Sequence, residues 1–158
     1  MIVDVSPGDW EEFREIRLRA LADAPDAFGM THAAALEQTE DAWRSRLDTD
    51  DPILLVRDGG TAVAMGGAWR PPDTPGSMMI WGMWTAPEAR GRGHAEALVG
   101  HLLQWAREHG ITDVSLHVTK GNDAARHIYE RCGFSSTGQW EPLREGSPLR
   151  IELLRRTT

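Results

Sequence analysis

The sequence predicts a mixed α/β (α+β) fold, in which one sheet is flanked by helices. Two observations carry this prediction: a hairpin signal lies in the first half of the chain, and strands alternate with helices in the second half. The 158 residues are enough for one compact core and too few for two ordinary domains. We therefore expect a single domain over residues 1–158.

The first half of the chain contains alternating apolar runs, one helical stripe and several turn signals. Asp58-Gly59-Gly60 is a hairpin signal between two apolar runs, and Pro71 to Gly76 form a proline-rich loop. Residues 28–38 show no clear periodicity, and Thr39 is a helix cap. The predicted elements are strands over residues 1–5, 53–56, 61–69 and 77–85, with helices over residues 10–21 and 40–47.

The second half contains the clearest helix, which ends at Gly110. Its apolar stripe is formed by Ala95, Leu98, Val99, Leu102, Leu103 and Ala106. Residues 111–119 alternate as a strand, and Asn122 caps a further helix that Gly133 ends. The remaining predicted elements are strands over residues 134–139 and 149–154, joined by a loop over residues 140–148.

The segment Arg90-Gly91-Arg92-Gly93-His94-Ala95 combines glycine with positive charge directly before this long helix. The first N–H groups of a helix have no acceptor within it, and the helix dipole places partial positive charge there, so an anion is stabilised. Glycine permits a close approach of the backbone, and arginine pairs well with phosphate oxygens. The segment therefore predicts a phosphate-binding loop.

Two common phosphate loops do not fit these residues. A nucleotide P-loop needs Lys-Ser/Thr where His94-Ala95 stands. A dinucleotide loop needs a small residue three positions after Gly93, where the chain has Glu96.

A third pattern, Arg/Gln-x-x-Gly-x-Gly/Ala, is met by Arg90, Gly93 and Ala95, and a second motif follows it along the chain. That motif is Asn122-x-x-Ala125-x-x-x-Tyr129-x-x-x-Gly133-Phe134. Together the two motifs resemble the GNAT superfamily of N-acetyltransferases, and the resemblance covers nearly the whole chain. It implies the GNAT-type fold, a mixed, mostly antiparallel, twisted sheet of about six to seven strands flanked by four helices.

The resemblance also implies acetyl-CoA as cosubstrate, with no metal, and an acetyl transfer to a primary amine of a small molecule or peptide. The pyrophosphate would lie at the glycine loop and the pantetheine arm along the strand before it. The implied cofactor-binding residues are Met83, Trp84, Thr85, Arg90, Gly91, Arg92, Gly93, His94, Ala95, Asn122, Ala125 and Tyr129.

Tyr129 is the implied catalytic residue, and it is the only tyrosine in a chain with seven tryptophans. We expect its hydroxyl to stabilise the leaving thiolate, because a phenol with a pKa of about 10 is a weaker acid than a thiol. The general base is open, since residues 78–85 contain no acid where many relatives carry one. The candidates for the base are Glu37, Glu88, His32, His117 and Glu141.

The resemblance places the acceptor between the first two helices, the strand at 78–85 and the loop at 140–148. It nominates the aromatic residues Phe28, Trp81, Trp84 and Trp140, together with Glu141, as substrate-binding residues. A surrounding set of acids favours a cationic acceptor. These acids are Glu37, Glu40, Asp41, Asp48, Asp50 and Asp51.

Composition narrows the class of protein. A net charge of −7 argues against a nucleic-acid partner, and no apolar run approaches the roughly 20 residues that span a membrane. The single cysteine, Cys132, and the lack of a signal-peptide pattern favour the cytoplasm.

A homodimer is a further expectation from the superfamily. A non-catalytic acetyl-CoA-responsive module and a nucleotide-binding protein stay open as alternatives to the enzyme.

Overall fold

The computed structural model covers residues 1–158 and contains one seven-stranded sheet with the strand order β1-β2-β3-β4-β5-β7-β6. Every neighbouring pair is antiparallel except β4 and β5, which are parallel. The strands are β1 (Ile2–Asp4), β2 (Ile53–Asp58), β3 (Thr61–Trp69), β4 (Ser77–Thr85), β5 (Asp113–Thr119), β6 (Ser135–Pro142) and β7 (Arg150–Thr157).

Helices cover both faces of the sheet, and each face has its own apolar core. Successive residues of β2 alternate between the two cores: Leu54 and Val56 join the core under α4 and α5, while Ile53 and Leu55 join the core under α1, α2 and α3. The helices are α1 (Trp10–Asp23), α2 (His32–Leu36), α3 (Glu40–Leu47), α4 (His94–Glu108) and α5 (Asp123–Arg131).

β4 and β5 separate after a short parallel pairing. Their ladder joins only Ser77–Met79 to Asp113–Ser115, so the rest of β4 has no strand partner on its β5 side. On its other side β4 is bulged, because the β3–β4 register shifts between Met65 and Gly67 and Gly82 opposite this shift has φ +68°. The result is a wedge-shaped opening in the sheet with free backbone groups along β4.

The structure adds one helix to the four that the sequence predicts. α2 forms within a stretch that was expected to be irregular, because Thr31 caps it: the Thr31 hydroxyl accepts a hydrogen bond from the Ala34 N–H at 3.1 Å. With only five residues, α2 is too short to leave a readable periodicity in the sequence.

The predicted loop over residues 140–148 is wrong at its start, because Trp140 and Glu141 lie on β6. β6 continues to Pro142 through a bulge between Ser136 and Trp140, where Gly138 has φ +75°. The actual connection is shorter and is closed by a hydrogen bond from the Leu143 N–H to the Leu149 carbonyl at 2.9 Å. A bulge breaks the alternation that marks a strand, which explains the early end of the prediction.

Candidate active site

The glycine loop before α4 leaves its backbone open to a ligand. Gly91 and Gly93 have φ of +79° and +80°, and Gly93 is the N-cap of α4. A Cβ built on either glycine would meet no atom within 4 Å, so the space above both residues is free. The first N–H groups of α4 point into this region without acceptors inside the helix. The loop therefore has the features of an anion site.

The two arginines of this loop are already paired. Arg90 donates to Asp23 Oδ2 at 2.7 Å and to the Thr85 carbonyl at 3.0 Å. Arg92 lies 3.2 Å from Asp58 Oδ2 and also donates to the Glu88 carbonyl. These contacts fix the loop against β4 and the end of α1. Backbone N–H groups are consequently the donors that stay free for an anion.

A cavity of about 700 Å³, which we call the loop cavity, lies between this loop, β4 and α5. Its volume is in the range of small-molecule and cofactor sites. The Nε2 atom of His94 is buried beside it without a hydrogen-bond partner. Of the predicted cofactor-binding residues, only Arg92 does not line the loop cavity. Those that do are Met83, Trp84, Thr85, Arg90, Gly91, Gly93, His94, Ala95, Asn122, Ala125 and Tyr129.

A second cavity, of about 80 Å³, fills the opening between β4 and β5, and we call it the splay cavity. Met83, Asn122 and Tyr129 line both this cavity and the loop cavity, so the two adjoin. The Asn122 side chain caps α5 by accepting a hydrogen bond from the Ala125 N–H at 3.3 Å. Burial raises the pKa of Tyr129 well above its ordinary value, with a smaller effect from Cys132. Tyr129 is therefore a neutral phenol that can donate a hydrogen bond here.

His117 on β5 also lines the splay cavity. Its Nε2 lies 3.2 Å from Glu141 Oε1 on β6. Burial lowers the pKa of His117, and the negative charge of Glu141 partly opposes this effect. In the neutral tautomer that carries its proton on Nε2, the nitrogen facing Glu141, the lone pair that accepts a proton is on Nδ1.

The other candidates for the base lie elsewhere. Glu88 is paired with Arg19 at 2.9 Å, Glu37 is exposed, and His32 is half-buried on α2. None of these three residues lines the splay cavity. Of the five candidates, the structure brings only His117, and Glu141 through it, to the opening in the sheet.

A third cavity, of about 470 Å³, lies on the α1–α3 face and shares Trp81 with the splay cavity; we call it the helix-face cavity. Of the predicted substrate-binding residues, Phe28 lines the splay cavity and Trp81 lines both. The Trp84 ring is buried and donates to Asp23 Oδ2 at 3.0 Å. Trp140 is 38% exposed and lies outside all three cavities.

The acids that suggested a cationic acceptor do not surround this cavity. Among them only Asp51 lines it, and its carboxylate is bound to Arg70 at 2.6 Å. The exposed ones are Glu37, Glu40, Asp41, Asp48 and Asp50.

Sequence reasoning missed two arginines at this site. Arg17 of α1 lines the helix-face cavity at a position that reads as part of the apolar stripe. Arg144 donates hydrogen bonds to the carbonyls of Pro25, Phe28 and Gly29, and so ties the β6–β7 connection to the segment that carries Phe28. Arg17 could have been identified from the sequence, because an arginine within the apolar stripe of a helix is unusual. Nothing in the sequence around Arg144 indicates its role.

Groups of three or more histidine, cysteine or carboxylate side chains that could hold a metal ion do not occur in this structure. None of its helices has the length and apolar character needed to cross a membrane.

Solved structures with the same fold come from several bacteria. The acetyltransferase of the GNAT family from Streptococcus pneumoniae superposes with a TM-score of 0.85 at 20% identity, covering 100% of this chain and 99% of that one. The Salmonella typhimurium protein yncA, solved with its cofactor acetyl-CoA, gives a TM-score of 0.79 at 17% identity, with 99% and 92% covered. At these identities the likeness concerns the fold, and it confirms the predicted fold class.

Sequence comparison gives the family. The chain is 27% identical over 140 residues to the mycothiol acetyltransferase of Brachybacterium faecium, covering 86% of this chain and 40% of that protein. It is 30% identical over 103 residues to N-acetyltransferase family 8 member 2 of Rattus norvegicus, covering 63% and 46%. The chain spans between 32% and 59% of the length of such curated relatives. Since the model of the acetyltransferase (GNAT) family matches residues 10–134, this chain belongs to the GNAT acetyltransferase family.

Proposed function

We propose that this protein transfers the acetyl group of acetyl-CoA to a primary amine by direct attack on the thioester. The observation that carries the proposal is the run of adjoining cavities through the opening between β4 and β5. Tyr129 is shared by the loop and splay cavities, and Trp81 by the splay and helix-face cavities. Cofactor and acceptor can therefore approach the same point from opposite sides of the sheet.

Acetyl-CoA fits the loop cavity by its chemistry. Its pyrophosphate would accept hydrogen bonds from the free N–H groups behind Gly91 and Gly93, where no atom blocks the approach. Its pantetheine amides would pair with β4 beyond Met79, where the strand has no partner on its β5 side. The thioester would then lie in the splay cavity, beside Tyr129 and His117.

The amine must lose a proton to act as a nucleophile, because an alkylammonium with a pKa of about 10 is almost fully protonated at neutral pH. We assign this step to Nδ1 of His117, with Glu141 as the positioning residue that holds the ring. The amine nitrogen then bonds to the carbonyl carbon, the C–S bond breaks, and the nitrogen loses its second surplus proton to solvent to give the neutral amide. The departing electron pair stays on sulfur, where the Tyr129 hydroxyl donates a hydrogen bond. Since burial makes this phenol a still weaker acid, it stabilises the thiolate without giving up its proton.

The alternative is a non-catalytic module that binds acetyl-CoA, which the absence of an acid at residues 78–85 favours. His117 weakens this alternative because it supplies a base from β5 instead of β4. Both functions require binding of acetyl-CoA, but only the acetyltransferase would turn it over.

Thiol release from acetyl-CoA in the presence of a panel of primary amines tests the proposal. We expect release with at least one amine, together with a rise in melting temperature of about 5 °C or more when coenzyme A is present at a hundredfold excess over its Kd. A cofactor-induced rise without release from any amine would support the non-catalytic module. A larger rise with ATP or NAD than with coenzyme A would support a nucleotide-binding protein.

A further inference from the structure

Arg17 is a buried cation without a partner. It is 7% exposed, and its Nε and Nη1 atoms are buried with no hydrogen-bond acceptor. The rings of Phe28 and Trp81 lie 5.0 and 5.7 Å from its guanidinium carbon, but ring faces do not accept the in-plane N–H groups. A buried charge without an acceptor is costly to the folded protein. The guanidinium therefore has the donors of an anion site, and the chain supplies no anion.

The cavity that Arg17 faces is positively charged, although the whole chain carries a net charge of −7. Arg46 of α3 is a second cation in its lining. Asp51 is the only acid there, and Arg70 engages its carboxylate at 2.6 Å. Burial, followed by the charge of Arg46, lowers the pKa of Arg17 to about 10, so the Arg17 guanidinium is charged at neutral pH.

We propose that the acceptor amine carries a carboxylate, which Arg17 binds with the support of Arg46. This inference rests on the proposed function and specifies its substrate class. A guanidinium presents paired donors that match the two oxygens of a carboxylate. The inference replaces the expectation of a cationic acceptor, since two cations without an acidic partner would repel one.

The other residues that line the helix-face cavity indicate the chemical character of the rest of the acceptor. Met30, Ile53, Met79 and Trp81 give the cavity an apolar wall, and its volume is about 470 Å³. Such a wall fits an apolar side chain and favours a monoanion, because a dianion costs more to remove from water. An apolar amino acid has these parts: an amine, an adjacent carboxylate and an apolar body. A peptide amino terminus lacks the adjacent carboxylate.

The position of Arg17 connects the carboxylate to the reaction. A Cβ built on Gly82 would come within 3.2 Å of Arg17 Nη1, so the guanidinium lies directly against the β4 bulge. Gly82 itself lines the splay cavity. A carboxylate bound to Arg17 therefore holds an adjacent amine beside the opening where the thioester would lie.

Matched pairs of acceptors test this inference. Leucine, methionine and phenylalanine are each compared with their carboxamides, which keep the amine and side chain but remove the negative charge. We expect the kcat/KM of at least one acid to exceed that of its amide by about tenfold or more, mainly through KM, as the loss of a charged hydrogen bond predicts. The amides have the more easily deprotonated amines, so they would react faster if the charge did not matter.

Arg17→Met removes the charge and keeps an unbranched, apolar side chain of shorter reach. We expect the kcat/KM of the acid to fall to that of its amide or below, while the melting temperature without ligand stays unchanged or rises. The control is Arg44→Met, which removes a half-buried charge of α3 that pairs with Glu40 and does not line the cavity. This control should keep the acid preference. An unchanged preference in Arg17→Met would overturn the inference.

A binding measurement separates this inference from the proposed function. The N-acetyl derivatives of the same acids and amides are added to the coenzyme A complex, and the melting temperature is measured. A rise with the acid that is lost in Arg17→Met, without turnover of any amine, would uphold the anion site and refute the acetyltransferase. Turnover of the amides with a kcat/KM above that of the acids, as their more easily deprotonated amines alone would give, would uphold the acetyltransferase and refute the anion site.

Discussion

Tyr129 and His117 line the same small cavity, and burial acts on the pKa of each in opposite directions. It raises the pKa of the phenol and lowers the pKa of the imidazole, because burial disfavours whichever form is charged. Both side chains are therefore neutral near pH 7. The cavity combines one neutral hydrogen-bond donor with one neutral proton acceptor, as an amine attacking a thioester requires.

The role of His117 predicts a distinct pH profile. Because its pKa lies below the ordinary value of about 6.5, kcat/KM of the wild type should rise with pH only up to that pKa and then stay level. In His117→Gln the proposed reaction would depend on free amine from solution. Log kcat/KM of this variant should keep rising with unit slope towards the amine pKa, and a profile like that of the wild type would refute the assignment.

Glu141 should act on the same profile through His117. Its negative charge raises the pKa of the imidazole, so Glu141→Gln lowers this pKa further. We expect the acid limb of kcat/KM to move to lower pH, with a modest loss of rate because the ring is less well held. The direction of the shift is tested by measuring the acid limb of kcat/KM in the wild type and in Glu141→Gln. A shift to higher pH would contradict the contact between Glu141 and His117. Glu145→Gln, at an exposed position in the connection after β6, is the control.

At the level of elements, the loop before α4 depends on one backbone conformation. Gly93→Ala introduces a Cβ at φ +80°, which costs about 1–2 kcal/mol of folding free energy and places a methyl group where the pyrophosphate would approach. We expect the melting-temperature rise caused by coenzyme A to be largely lost. The quantity to compare is this rise, not the melting temperature itself.

Gly100→Ala is the matched control for that experiment. Gly100 lies inside α4, is exposed, and has nothing within 4 Å of a built Cβ. Alanine should stabilise the helix by up to about 1 kcal/mol and leave the cofactor-induced rise unchanged. An unchanged rise in Gly93→Ala as well would mean that the loop does not hold the phosphates.

The elements also explain what the sequence can and cannot predict. β3, β4 and α4 were predictable because each has a long, regular apolar pattern. β6 was predicted to end before Trp140, since its bulge interrupts the alternation. The residues of the glycine loop before α4 were predicted from the spacing of Arg90, Gly93 and Ala95 along the chain. The pairing of Arg90 with Asp23, by contrast, joins positions far apart in sequence that only the folded chain brings together.

At the scale of the molecule, a buried carboxylate joins the C-terminal strands to α5. Glu152 is 2% exposed and accepts hydrogen bonds from Arg126 at 2.7 Å, from the Gly138 N–H at 2.9 Å and from the Ser136 hydroxyl. The Ser136 hydrogen bond, followed by the contacts with Arg126 and Gly138, lowers the pKa of Glu152. The ionised form of this residue therefore stabilises the folded protein.

This lowered pKa predicts how stability depends on pH. The contribution is complete above the ordinary glutamate pKa of about 4.3 and is lost as pH falls through the lower pKa of the folded state. Glu152→Gln should reduce the free energy of unfolding by about 3 kcal/mol at pH 7, with a smaller difference at pH 3. Urea unfolding at both pH values measures this, and an equal loss at both would contradict the ionised network.

The acceptor is the part of the whole molecule that the sequence predicted least well. The acids of α3 and the following turn suggested a cation, but they lie mostly on the surface, where solvent screens them. The charge that matters is Arg17, and its significance comes from burial beneath Trp81 and Phe28 without a partner. Burial and pairing depend on the assembled fold, so they are not visible in a linear charge pattern.

Turnover by Tyr129→Phe is the most direct test of the central claim, that thiolate departs beside Tyr129 in the opening between β4 and β5. Phenylalanine keeps the ring and its packing against Phe134, so the coenzyme A-induced rise in melting temperature should be preserved. The variant should lose about a hundredfold in kcat, because the hydrogen bond to the departing thiolate is gone. A kcat equal to that of the wild type, with cofactor binding intact, would contradict the claim.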